Sequence, residues 1–213
     1  MSSLLSTIND RLSALPPCFE PLREMVLRYL ASGYCIYENC IRVGRFRKYD
    51  KDHYHITIFP PANSPWLVAR RSFEVPIEYL KFLSYSNGLQ LFELSLFGFT
   101  PGMQQTPPKL DRTRLQSLDL TLANESWLVE VKNPPVGCIY FGCSPYNYEQ
   151  NMLYFMDEAG SVRALLKDGR SLRQWPSFWQ FLADQGAAEE QSLLHQARDP
   201  VIAGGLNSDE TKE

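Results

Sequence analysis

The spacing of apolar positions changes several times along the chain, and each change predicts an element. Leu4, Leu5, Ile8, Leu12 and Leu15 share one face of a helix that starts at Ser3, a good N-cap, and stops at Pro16-Pro17. Pro21 opens a second helix with Leu22, Met25, Val26, Tyr29 and Leu30 inward, and Gly33 is the candidate left-handed cap. From Tyr34 the residues turn β-branched and aromatic. YCIY, CIRVGRF and HYHITIF predict a hairpin with a turn at Glu38-Asn39, then a third strand ending at Pro60-Pro61. Ser64-Pro65 reads as the start of a short helix through Arg71.

Residues 74–88, EVPIEYLKFLSYSNG, carry the clearest local signal: Pro76 starts a helix, Ile77, Leu80 and Leu83 keep its period, and Asn87-Gly88 ends it. LQLFELSLFGF follows as one strand, 100–108 as a surface loop, and 111–123 as a segment with a weak helical preference. GCIYFG, NMLYFM and SVRALL then predict a meander, the last two joined through Asp157-Glu158-Ala159-Gly160. A helix beginning at Pro176 lays Phe178, Phe181 and Leu182 on the sheet and ends at Gly186, with a further helix over 187–197. From Asp199 the chain loses hydrophobicity, so 199–213 is expected to be a disordered tail.

Composition narrows the classes. With 213 residues, 44% of them apolar and 13% aromatic, the chain is long enough to bury roughly 70% of its unfolded surface without metal or disulfide staples. The net charge is -3, yet residues 1–75 hold ten Lys/Arg against seven Asp/Glu and the remainder eleven against seventeen. That balance lacks the positive excess on which phosphate binding depends and speaks against a dedicated nucleic-acid binder. No run approaches the ~20 apolar residues of a bilayer span, and five cysteines, an odd number, suit a reducing cytoplasm, so the expectation is a cytoplasmic protein with no membrane partner.

At Val75–Pro101 the run VPIEYLKFLSYSNGLQLFELSLFGFTP resembles the signature of the SUKH superfamily, the Smi/Knr-type domain, in which a proline-started helix ends at Asn-Gly and leads into a strand. VGCIYFGCSPYNYEQNMLYFMDEAGSVRAL is similar to the paired strands of that family, and WPSFWQFLADQ to its closing helix. The resemblance spans about residues 70–185 and rests on Pro76, Tyr79, Phe82, Asn87 and Gly88, which are packing and turn residues. It implies an α+β fold: a mostly antiparallel twisted sheet with helices on one side, here joined to the N-terminal helical pair in one domain over 1–198. It also implies a non-enzymatic binding module, in bacteria an immunity protein that neutralises a cognate toxin and in fungi a regulator of cell-wall synthesis. A regulatory or scaffolding role is the second expectation, and a hydrolase or metal-dependent enzyme the third.

The candidate chemistry is sparse. His53 and His55, two apart in a strand, point to one face, but only His195 remains as a third imidazole, so no metal is assigned. Cys35 and Cys40, like Cys138 and Cys143, have C-x4-C spacing; an odd separation puts both thiols on opposite faces of a continuous strand, and buried packing is the default reading. Nucleophile-elbow, phosphate-loop and zinc-protease motifs are missing, and no catalytic residue or cofactor is assigned. Arg42, Arg45, Arg47, Lys48 and Lys51, interleaved with Phe46 and Tyr49, form a basic patch suited to phosphates or an acidic partner. Tyr146, Tyr148, Glu149, Asp157 and Glu158 set aromatic and acidic side chains on loops beside the meander, where they suit a basic protein face. These residues, with Arg45, Arg47 and Lys48, are the expected partner-binding set.

Overall fold

The computed structural model describes residues 2–48, 51–63, 73–99, 118–147 and 149–198. The expected helix near 64–71, the loop of 100–108 and the tail of 199–213 lie outside the described residues. The expected helical pair is α1 (Ser2–Ser13), which begins before Ser3, and α2 (Glu20–Tyr29), followed by a single 3-10 turn, Leu30–Ser32. Gly33 caps it with the positive φ expected of glycine, 113°, although its ψ of 149° lies outside the left-handed helical well.

Nine strands follow in one sheet: β1 (Tyr34–Tyr37), β2 (Cys40–Lys48), β3 (Lys51–Ile58), β4 (Leu89–Leu91), β5 (Leu94–Leu96), β6 (Cys138–Pro145), β7 (Asn151–Asp157), β8 (Val162–Leu165) and β9 (Ser171–Trp175). Their spatial order is their sequence order and every neighbouring pair is antiparallel, so the whole sheet is a meander. This is the expected α+β architecture. Among the described residues no helix is long and apolar enough to cross a membrane.

Two strand segments differ from the sequence reading for identifiable reasons. LQLFELSLFGF is a hairpin, β4 and β5, because Phe92 takes φ 55° and reverses the chain where glycine is the usual residue. Strand β9, SLRQW, has only its last residue buried, so it shows no alternation to read.

The sheet and helices share one core. Helix α3 (Ile77–Leu83) starts after Pro76, which is the extended N-cap residue (ψ 144°) rather than part of the first turn. It buries Tyr79, Phe82 and Leu83. The Tyr79 ring packs edge-on against Phe141 of β6 and Phe178, and its hydroxyl donates to the Phe97 carbonyl at 2.6 Å with the Phe141 carbonyl 3.2 Å away. Helix α5 (Phe178–Arg198) runs unbroken through Gly186, where the sequence suggested a stop. A Cβ there would lie 2.9 Å from the Leu91 side chain and 3.4 Å from Met25, so glycine serves the close approach of α5 to the sheet and α2. Of 111–123, the described end forms a short helix, α4 (Leu120–Leu122), continued by a wider π turn to Trp127 and a tighter 3-10 turn to Glu130, and tied to β6 through both amide atoms of Asn124 and the Tyr140 backbone.

Gly88 supplies the expected positive φ, 97°, but Asn87 does something else. Its side-chain amide donates to the Phe99 carbonyl at 2.6 Å and accepts from the Phe99 N–H at 2.7 Å, pairing with that residue as a neighbouring strand would. Gly98 passes so close that a Cβ would collide with the Asn87 carbonyl. Two hydrogen bonds of roughly 1 kcal/mol each rest on one side chain. Asn87→Ala is therefore expected to lower the unfolding free energy by about 2 kcal/mol in urea titrations, with Gly98→Ala at least as damaging; a loss within error for both disproves the clamp.

Candidate partner-binding surfaces

The strand directions decide which expected residues meet. Tyr146 and Glu149 lie on the β6–β7 loop, whereas Asp157 ends β7 and Glu158 follows on the β7–β8 turn. Seven residues of β7 separate these loops, about 20 Å of strand, so they do not form one patch. Within the first loop Asn147 accepts from the N–H groups of Glu149 and Gln150, and Tyr146 is 45% exposed. Tyr148 lies outside the described residues. Asp157 accepts from the Ser161 N–H at 2.8 Å, a turn-closing role.

The basic patch is partly neutralised. Arg45 pairs with Asp52 at 2.7 Å, and the bond raises the guanidinium pKa and lowers that of the carboxyl. Arg42 lies 4.3 Å over the Tyr54 ring, and Arg47 engages in an interaction of its own. Lys48 ends β2 and Lys51 begins β3, with their side chains, like Tyr49, outside the described residues.

The cysteines behave as packing residues. Burial is the first cause that raises the thiol pKa of Cys18, Cys40, Cys138 and Cys143, Cys40 to about 11, which keeps these four protonated and poorly nucleophilic at neutral pH. The alternation argument for Cys138 and Cys143 needs correcting. A β-bulge between Tyr140 and Gly142 shifts the register, so Cys138 opposes Asp157 and Cys143 opposes Leu153, two positions of even separation on one face of β7. Four residues of strand still hold them more than 10 Å apart, too far for one ion. Among the described residues no group of three or more His, Cys, Asp or Glu is placed to hold a metal.

Among the described residues two clefts stand out, one at the start of α3 and β6 and one at the β4–β5 turn. The first, of about 570 Å³, lies at the start of α3 and is lined by Phe73, Val75, Pro76, Ile77 and Ile139, with Glu74 and Glu158 adding carboxylates. Ile77 is 60% exposed, and Val136, next to the lining Gly137, is 99% exposed. Of the expected residues, Pro76 and Glu158 meet here.

The second cleft, of about 220 Å³, is lined by Phe46, Tyr54, His55, Phe92, Glu93, Glu189, Ser192 and Leu193. Gly44, at φ 75°, breaks the alternation of β2, so that Phe46 as well as Val43 turns toward the helices. Phe46 stacks on His55 at 4.2 Å and also meets His53, while Tyr29 and Phe92 close around His55. The two imidazoles thus share a face, as their spacing suggested, and use it for ring packing. Glu189, only 8% exposed, accepts from the Gln185 amide at 2.8 Å and is hydrogen-bonded to Ser144, which in turn bonds the Tyr154 hydroxyl at 2.7 Å. Sequence reading missed Gln185 and Glu189. Their signal was present: with Phe178, Phe181 and Leu182 they continue one helical stripe past Gly186, and polar residues on such a stripe are the informative ones.

Comparison with protein-family models, with curated proteins and with solved structures yields no match in any of the three.

The second cleft titrates in two opposed senses. Burial lowers the His55 pKa from 6.5, so the unfolded chain takes up a proton first and stability falls as pH drops below 6.5 through the folded value. Burial raises the Glu189 pKa from 4.5, so its contribution is lost as pH rises above 4.5 through the folded value. Melting temperatures measured across this range should show His55→Phe gaining on the wild type as pH falls, and Glu189→Gln gaining as pH rises. Either sign reversed contradicts the assignment.

Proposed function

We propose that this chain is a non-enzymatic protein-binding domain of SUKH type, acting in the cytoplasm as an immunity protein that binds and neutralises a cognate toxin. The observation that carries this reading is the cleft at the start of α3. Exposed Ile77 and Val136 beside Glu74 and Glu158 make an apolar surface with an acidic rim, the composition of a protein-recognition site with a preference for a basic partner. The cleft involves the segment that resembles the family signature, where Pro76 and Tyr79 fix α3 and leave Ile77 outward. Buried, protonated cysteine thiols and ring-packed histidines support a binding role over nucleophilic chemistry.

The test is co-expression with the protein encoded directly upstream of this chain, assayed for toxicity on its own. Protection of the host cell and a stable complex with that protein are expected. Ile77→Asp and Val136→Asp, both on exposed positions, should each weaken the complex about tenfold while leaving the melting temperature unchanged. Absence of protection and binding refutes the immunity role; several unrelated partners in a pull-down would instead favour the regulatory reading.

A further inference from the structure

The second cleft has a composition that the partner reading does not use. Its walls are aromatic: Phe46, His55 and Phe92 line it, Phe46 stacks on His55, and Tyr29 of α2 packs edge-on against His55 and Phe92. Two carboxylates reach it from different elements, Glu93 from the β4–β5 turn and Glu189 from α5. Glu189 is more than nine-tenths buried, yet the groups that hydrogen-bond it, Gln185 and Ser144, are neutral. None of the residues lining the cleft is Lys or Arg. Arg42 is held over the ring of the lining Tyr54 at 4.3 Å, and Arg28 of α2 is bound to Glu190 at 2.7 Å.

A buried carboxylate without a counter-charge is costly unless something brings one. Ring faces carry the negative side of the aromatic quadrupole and attract cations, most strongly where water is excluded. Size sets a further limit. Sites for drug-sized ligands start at about 300 Å³, so 220 Å³ suits a group the size of one long side chain.

From these features we propose that the cleft between the β4–β5 turn and α5 is a recognition site for an organic cation, a guanidinium or ammonium on an alkyl stem. The cationic head meets Glu189 and Glu93, the stem lies against Phe46 and Phe92, and Ser192 on the rim offers a hydroxyl acceptor to a remaining N–H. The site stands apart from the apolar cleft at the start of α3, so its occupancy does not depend on the immunity reading.

Titration of the full chain with N-acetyl-arginine methylamide, followed by NMR at the His55 ring and the Phe92 and Glu93 amides, tests the assignment. Saturable shifts are expected, together with none from the citrulline analogue, which has the same shape and no charge. Glu93→Gln, on an exposed turn, and Glu189→Gln, which keeps the amide and hydroxyl partners, should each weaken binding about tenfold. Free L-arginine serves as a second arm: tighter binding of the methylamide indicates a cation borne on a polypeptide, and tighter binding of the free amino acid a small metabolite. Equal binding of the citrulline analogue, absence of saturable shifts, or unchanged affinity in both variants overturns the proposal. If Glu189→Gln fails to fold, Glu93→Gln alone decides.

Discussion

One hydroxyl group governs how the helices meet the sheet. Tyr79 is fully buried, and its ring reaches the aromatic centre only because its hydroxyl finds the Phe97 and Phe141 carbonyls at the end of the β5–β6 ladder, where the Phe97 N–H also donates to Phe141. A phenol taken out of water without a partner costs several kcal/mol, so the ring cannot settle elsewhere in the core at equal free energy. Phe82, Phe141, Phe178 and Phe181 assemble around it with edge-on and tilted contacts. Burial drives the Tyr79 pKa far upward, consistent with a group that stays neutral and stays bonded.

That bond also explains the division of labour in the segment that resembles a family signature. Tyr79 and Phe82 fill the centre, Asn87 substitutes for a strand edge, and Gly88 turns the chain. The four roles are structural, so the segment marks a scaffold and carries no chemistry of its own. The acidic rim of one cleft and the aromatic, acidic walls of the other are built from residues outside those four.

Periodicity made most of this fold legible. Strands β1, β2 and β3, the β6–β8 meander and helices α2 and α3 carry β-branched runs, turn residues and apolar stripes that local rules read correctly. Apart from β9, which had no alternation to read, the failures come from a tertiary contact overriding a local signal. Gly186 reads as a stop until α5 is seen pressed against Leu91 and Met25, and Phe92 reads as mid-strand until its backbone N–H is seen bonded to the His55 carbonyl. The bulge that turns Cys143 to the face of Cys138 leaves no trace in alternation counted along the sequence. Candidate site residues fared worse, because placing Tyr146 and Glu158 in one patch required knowing which end of β7 each occupies.

An uninterrupted α5 has mechanical implications. Its first two turns are wedged into the rings around Tyr79, while Glu189, two turns further on, forms a wall of the aromatic cleft. A helix without a hinge transmits displacement along its axis. Phe178 and Phe181 lie roughly 12–17 Å along the axis from Glu189, so one rigid rod carries both a wedge of the aromatic centre and a wall of the cleft.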